Sequence, residues 1–340
     1  MLSFFLKIFK MNILKRFSFI FLLCFIMINS SAQKKSNPVA VIFDSDIGPD
    51  YDDVGAITLL HAFAYKGEAK ILATVASNKY PNAAAVLNVF NTYFKRSDLP
   101  VGVPKGDAIN MSDKQHWSDS IVAKYQHNIH SNDEAEDVVK VYRRILSQQS
   151  DKSVTIITVG FLTNLANLLN SQADEYSKLD GAGLVKQKVK RLVSMAGKFP
   201  EGKEFNVEKD SLASQIVFSK WPTEVIFSGF EIGERIKTGL PLVQNNAIQN
   251  SPVKDVFSIC LPMAQEDNYG RSSWDETAVL VAIKGTEPYY SLQHGHIIVN
   301  DDGSNSWDND GANQYYLVEK LPHEQVQNLI NELMQHLPAL

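Results

Sequence analysis

The sequence predicts an α/β fold: a doubly wound, mostly parallel sheet with helices on both faces and a small antiparallel extension near the C-terminus. Three observations predict it. Short apolar runs rich in β-branched residues recur along the chain, stretches of helical periodicity separate them, and a late block alternates around a turn signal. Strands that are apolar throughout and separated by helices imply a parallel sheet covered on both sides. The expected strands are residues 39–43, 70–76, 154–158, 189–195 and 224–227, with helices over 82–94, 135–146, 164–169 and 211–218. The late block reads as short strands at 289–292, 296–300 and 315–318 with a turn at Asp301, Asp302 and Gly303, followed by a closing helix over 323–336 opened by Pro322. No linker, repeat or low-complexity segment divides the chain, so residues 33–340 are expected to form a single domain.

With 340 residues, 44% hydrophobic and 21% charged, the composition is that of a globular protein and excludes disordered, collagen-like and coiled-coil classes. Two cysteines cannot build a disulfide framework or a thiolate metal cluster. Acids outnumber bases, 38 to 33, which argues against nucleic acid as a partner. Residues 1–32 hold Lys7, Lys10, Lys15 and Arg16 but no acid, then an apolar run over 17–28 and small residues at Ser30 and Ala32. This is the pattern of a secretory signal peptide cleaved after Ala32. The apolar run is shorter than the roughly 20 residues that span a bilayer, so no stable membrane anchor is expected after its removal, and the protein is expected in the periplasm or outside the cell. Loss of this basic segment makes the remainder more acidic than the formal charge of −5 for the whole chain. It also leaves Cys260, between Ile259 and Leu261, as the one thiol, which reads as a core residue.

The acidic excess is concentrated. Asp44, Asp46, Asp50, Asp52 and Asp53 fall within ten residues directly after the first strand, and Gly48-Pro49 forces a tight turn among them. Carboxylates brought this close repel one another and either take up protons or bind a cation. Oxygen-only ligands favour Ca²⁺ or Mg²⁺ over zinc or copper. The spacing is not that of an EF-hand, because Pro49 stands at the sixth position from Asp44 and Gly55 at the twelfth, where glycine and glutamate are needed. In open parallel sheets ligands sit beyond the carboxyl ends of the strands. The polar residues there are the aspartate cluster, Asn78, the Val159-Gly160 turn, Glu204 with Asn206, and Glu231.

The string FDSDIGPDYDDVGAITLL from Phe43 resembles the opening of the inosine-uridine preferring nucleoside hydrolases, D-x-D-x-G-x-D-D followed by an aliphatic helix, with two extra residues before the Asp-Asp pair. Further segments match in order: TVASN ending at Asn78, VGFLTNLA from Val159, MAG from Met195, EFN from Glu204 and WDETAVL from Trp274. The resemblance implies a nucleoside hydrolase-like fold and Ca²⁺-dependent cleavage of the N-glycosidic bond of ribonucleosides or a related N-riboside, releasing ribose and free base. It implies Ca²⁺ held by Asp46, Asp53 and Asp275 and by the main-chain carbonyl of Val159, with Asp46 as general base toward the attacking water. It assigns substrate contacts to Asp52, Asn78, Met195, Glu204, Asn206, Glu231 and Trp274, with a small nucleoside as partner. It also implies a homo-oligomer, a dimer or tetramer.

Two departures bear on the chemistry. Trp274 stands where the family has a histidine often assigned as leaving-group acid, and tryptophan cannot donate a proton as an acid. Tyr269, Glu231 and Arg271 are the candidate replacements. Two other readings follow from the same residues: a Ca²⁺-dependent nucleoside- or sugar-binding protein without turnover, and a phosphatase of the haloacid dehalogenase type, whose D-x-D Asp44-Ser45-Asp46 fits but whose continuation Gly48 does not.

Overall fold

In chain order the strands of this computed structural model, which describes residues 37–311 and 313–338, are β1 (Val39–Ser45), β2 (Ala69–Ala76), β3 (Val101–Val103), β4 (Glu136–Asp137), β5 (Val154–Thr158), β6 (Val189–Met195), β7 (Glu201–Lys203), β8 (Glu224–Ser228), β9 (Lys237–Thr238), β10 (Arg271–Ser272), β11 (Tyr290–Val299), β12 (Ser304–Asp308) and β13 (Gln314–Glu319). The expected export signal lies outside the described residues. Eleven strands form one sheet in the order β4-β3-β2-β1-β5-β6-β8-β13-β11-β12-β7. Every pairing from β4 to β13 is parallel, and β11, β12 and β7 continue it antiparallel. Residues Pro38–Leu340 pack as one compact unit.

The parallel strands are apolar throughout because both faces are covered. Along β1, Val41 and Phe43 enter one apolar layer and Ile42 the other, as the alternation of side chains across a strand requires. The first layer joins helices Asp52–Tyr65, Ala83–Tyr93, Pro252–Cys260, Trp274–Lys284 and His323–Met334, and Cys260 is buried in it. The second joins helices Val138–Ser147, Thr163–Asn170, Gly181–Lys188 and Ser211–Lys220.

The structure redraws the expected antiparallel extension. The segments expected at 289–292 and 296–300 form one continuous strand, because Gln293, His294 and Gly295 pair with Tyr316, Tyr315 and Gln314 of β13 before the strand passes to β12 at His296. β13 itself is parallel to β8 on its other side, and β7, from the middle of the chain, closes the edge. The helix expected from 135 starts at Val138, since Glu136 and Asp137 pair with β3 and the Asp137 carboxylate caps the helix by accepting from the Lys140 amide at 3.1 Å. Among the described residues no helix is long and apolar enough to cross a membrane.

The carboxyl ends of β1 and β5 are tied together where the Val159 amide donates to the Asp44 carbonyl at 2.8 Å. The next residue, Gly160, has no room for a side chain: a Cβ there would lie 2.3 Å from the Asp46 amide nitrogen and 2.7 Å from the Asp46 Cβ. Because backbone is what it would strike, Gly160→Ala is expected to destabilise the fold by about 1–3 kcal/mol and to displace Asp46. Urea unfolding checks this, with Gly106→Ala, where a Cβ meets nothing within 4 Å, as the matched control.

Candidate active site

Two helix N-termini converge above the strand ends and carry the acids. Asp52 and Asp53 occupy the first turn of helix Asp52–Tyr65, and Asp275 and Glu276 the first turn of helix Trp274–Lys284. The free amides and dipole at a helix N-terminus favour negative charge, which partly offsets the burial of these groups. Carboxylate oxygens of Asp52, Asp53 and Asp275 all lie within 4.8 Å of one another. At that distance two full charges repel by roughly 3 kcal/mol at an effective dielectric constant of about 20. Several such pairs would consume much of a protein's typical stability of about 5–15 kcal/mol, so the cluster must be discharged by protons or by a cation.

The buried residues around the cluster show how far protein groups alone can satisfy it. The Ser45 hydroxyl, itself accepting from the Ile47 amide at 3.1 Å, donates to Asp53 Oδ1 at 2.5 Å. Asp53 Oδ2 is buried and has no hydrogen-bond partner among the described residues. That orphaned oxygen, an all-oxygen donor set and the 4.8 Å spread fit one hard divalent cation, whose ligands stand about 2.3–2.6 Å from it. Burial pushes the carboxyls of Asp46, Asp52 and Asp275 well above the ordinary range, and the neighbouring charges of Asp53, Asp275 and Asp53 respectively add to it. Asp53 is raised to about 7 by burial, against the lowering effect of the Ser45 hydrogen bond.

A cavity of about 210 Å³ opens onto the cluster. Of the residues expected from sequence, Asp46, Asp52, Val159, Met195, Glu204, Asn206, Trp274 and Asp275 line it, and Asp53 lies beside it in the cation cluster. Glu204 caps helix Phe205–Lys209, accepting from the amides of Asn206 at 2.7 Å, Val207 at 3.2 Å and Gly197 at 3.1 Å. The Asn206 amide group donates to the carbonyls of Val159 and Met195, each at 3.3 Å. The Val159 carbonyl expected as a cation ligand therefore already accepts one hydrogen bond, and its second lone pair remains for an ion.

Two expected residues stand apart from the cavity wall. Asn78 uses its side chain on backbone, donating to the carbonyls of Asp46 (3.2 Å) and Met111 (2.7 Å) and accepting from the amides of Tyr80 and Met111. It fixes the loop that carries Asp46. Glu231 turns one carboxylate oxygen to the Phe199 amide at 3.0 Å. Tyr269 is 84% exposed, outside the cavity lining.

Other residues carry weight that the sequence did not assign. Asp44 is fully buried and accepts from Tyr142 Oη at 2.8 Å and Asn164 Nδ2 at 3.0 Å, tying β1 to two helices, and Asp50 lines the cavity paired with Arg271. Glu276 is fully buried, neither of its oxygens has a hydrogen-bond partner among the described residues, and burial raises its carboxyl to about 8. It fits because Gly55, opposite, has no Cβ; one there would stand 1.9 Å from Glu276 Oε1. Phe205 and Phe230 supply apolar wall, and Trp274 leans on Phe230 at 5.3 Å while its indole N–H donates to the Phe230 carbonyl at 2.8 Å. The adjacency of Glu276 to Asp275 was the available signal for it.

Fold and site together define a class of α/β protein that could hold a metal ion and a small polar ligand in one acidic cleft at the strand ends. The family model for inosine-uridine preferring nucleoside hydrolases matches residues 41–327, and the chain belongs to that family. This sets aside the phosphatase reading of the D-x-D motif. The chain is 28% identical over 240 residues to the pyrimidine-specific ribonucleoside hydrolase RihA of Shewanella sp. strain ANA-3, a match spanning 66% of each protein. Its fold is that of the plant nucleoside hydrolase PpNRh1 (TM-score 0.68, 17% identity, 88% of this chain and 99% of that one) and of an inosine-uridine preferring nucleoside hydrolase from Bacillus anthracis (TM-score 0.66, 17% identity, 87% and 99%).

The titration of the cluster gives a stability test. In the cation-free protein, Asp53 and Glu204 hold protons up to about pH 7, whereas the unfolded chain releases them near 3.8 and 4.5. The folded state then binds more protons across that window, so its stability falls as pH rises from about 4 to 7. In EDTA the melting temperature is expected to drop between about pH 5 and pH 8, and the rise on adding a divalent cation, with Ca²⁺ and Mg²⁺ each tried, to be larger at pH 8 than at pH 5. Scanning calorimetry at the two pH values reads both; a cation-induced shift that is larger at pH 5 would contradict a cation site at these carboxylates.

Proposed function

We propose that the protein is an exported, Ca²⁺-dependent ribonucleoside hydrolase, acting in the periplasm or outside the cell and releasing ribose and a free base. The observation that carries this reading is the convergence, in one cavity of a nucleoside hydrolase family member, of the buried carboxylate cluster with Glu204 and Asn206. The name of the RihA relative makes pyrimidine ribonucleosides the first substrates to assay.

In this reading Asp46, Asp53, Asp275 and the Val159 carbonyl would hold Ca²⁺; Asp52, whose carboxylate lies within 4.8 Å of those of Asp53 and Asp275, belongs to the same cluster. When bound, the ion would supply an electrophilic centre that eases deprotonation of a water beside the ribose. Asp46, on the loop after β1, takes the proton. Asp52, Glu204 and Asn206 orient the furanose, for which several directed polar groups are required. The ring of anionic side chains stabilises the oxocarbenium-like sugar that forms as the C1′–N bond breaks. Asn78 acts one step away, by holding the Asp46 carbonyl.

A second reading, Ca²⁺-dependent binding of nucleosides without turnover, is favoured by one observation: the Trp274 indole N–H is committed to the Phe230 carbonyl, leaving no acid at that position. One assay separates the two. Mature protein with Ca²⁺ is incubated with uridine, cytidine, inosine and nicotinamide riboside, and free ribose is measured. Turnover lost in EDTA and restored by Ca²⁺ is expected, with Asp46→Asn lowering kcat by about 10²- to 10⁴-fold. Folded, Ca²⁺-loaded protein that binds nucleoside yet releases no ribose would establish the binding reading instead.

A further inference from the structure

The cavity poses a chemical problem that its acids do not solve. Breaking the C1′–N bond sends the electron pair onto the base, and the departing nitrogen must be protonated or its charge stabilised. Around the cavity, the Trp274 N–H is spent on a carbonyl, and the Asn206 amide is spent on the Val159 and Met195 carbonyls. Among the described residues lining it, one side chain is cationic: Arg271.

Arg271 is 12% exposed and held in a fixed plane. Its guanidinium lies 4.9 Å from the Tyr51 ring centroid and 5.0 Å from that of Trp274. Nε and Nη2 donate to Asp52 Oδ1 at 3.2 and 3.0 Å, and Nη2 also pairs with Asp50. Nη1 makes no hydrogen bond among the described residues; its carboxylate neighbour, Asp267 Oδ2, is 3.7 Å away and already accepts from the Tyr51 hydroxyl. Apart from that long ion pair to Asp267, whose oxygen is already taken by Tyr51, the two N–H bonds of Nη1 have no acceptor among the described residues and can be offered to a ligand by a planar, charged fork. The side chain also stands on a boundary. Asp50, Phe205 and Arg271 are shared between the 210 Å³ cavity and a neighbouring hollow of about 230 Å³. Each alone is below the roughly 300 Å³ at which small-molecule pockets usually begin, so a nucleoside with its ribose among the acids would extend its base past Arg271.

We propose that Arg271 is a catalytic residue that stabilises the departing base as an anion by charge-assisted hydrogen bonding from Nη1, in place of proton transfer from a general acid. This rests on the hydrolase reading above. For uridine, the electron pair of the C1′–N1 bond passes to N1 and delocalises onto O2, which accepts from the guanidinium. The water oxygen bonds to C1′ and its proton goes to Asp46. The uracil anion takes a proton from solvent after release, and Asp46 returns its own to solvent, so the sum is uridine plus water giving ribose plus uracil.

The test compares leaving groups. Wild type, Arg271→Gln and Arg271→Lys, all Ca²⁺-loaded, are assayed on uridine and on 4-nitrophenyl β-D-ribofuranoside, whose leaving group is stable as an anion without help. Arg271→Gln is expected to lose about 10²- to 10³-fold in kcat on uridine, the effect of deleting one preorganised donor, and at least tenfold less than that on the nitrophenyl riboside. Arg271→Lys keeps the charge but not the planar fork and is expected to show the same differential at reduced size; it decides the matter if the glutamine variant does not fold. Equal losses on both substrates would reduce Arg271 to a support for Asp50 and Asp52 and overturn the proposal, as would undiminished uridine turnover. Wild type that cleaves the nitrophenyl riboside but not uridine overturns it too, leaving the hydrolase reading in place. Wild type inactive on both defeats the hydrolase reading itself.

Discussion

Five carboxyl groups, Asp46, Asp52, Asp53, Asp275 and Glu276, are buried within reach of one another at the strand ends, and the rest of the site is organised by the need to make that tolerable. Burial alone disfavours the charged form of each, and each neighbour adds to the effect. A protein that kept this arrangement for stability would be poorly built, since apolar residues would serve better in the same space. The arrangement makes sense as a receptacle for a positively charged partner.

Three features of the fold supply partial compensation. Both acidic pairs sit in the first turns of helices, where unpaired amides and the helix dipole oppose their mutual repulsion. Ser45 satisfies one oxygen of Asp53, and the other has no partner among the described residues. Arg271 neutralises the outer edge through Asp50 and Asp52, with its plane clamped by Tyr51 and Trp274. The rim is the better compensated side: inside, Asp53 Oδ2 and both oxygens of Glu276 have no hydrogen-bond partner among the described residues.

The same geometry relates the replacement of the expected histidine by Trp274 to the rest of the pocket. A tryptophan there does not simply remove an acid: its ring packs on Phe230 and stands 5.0 Å from the Arg271 guanidinium. Among the described residues lining the cavity, Arg271 is the one cationic side chain, and it is anchored on Asp50 and Asp52.

By itself the sequence determined the parallel strands, whose uninterrupted apolar runs follow from burial on both faces, and it located the acidic turn after β1, because five aspartates around Gly48-Pro49 leave few alternatives. Local patterns also implied helices at 211–218 and 323–336 close to where they occur. The continuity of β11 and the placing of β7 beside β12 were decided only by tertiary pairing, since residues such as Gly202 and Gly295 carry no pattern that says which strand lies opposite. The roles of Asp44, Asp50, Asn78 and Glu276 were likewise settled by the fold. A carboxylate or amide has the same identity in the sequence whether it faces a ligand, a backbone amide or another charge; what it does depends on partners far away along the chain, Tyr142 and Asn164 for Asp44, Arg271 for Asp50, Met111 for Asn78 and Gly55 for Glu276, and only the folded chain brings those partners together.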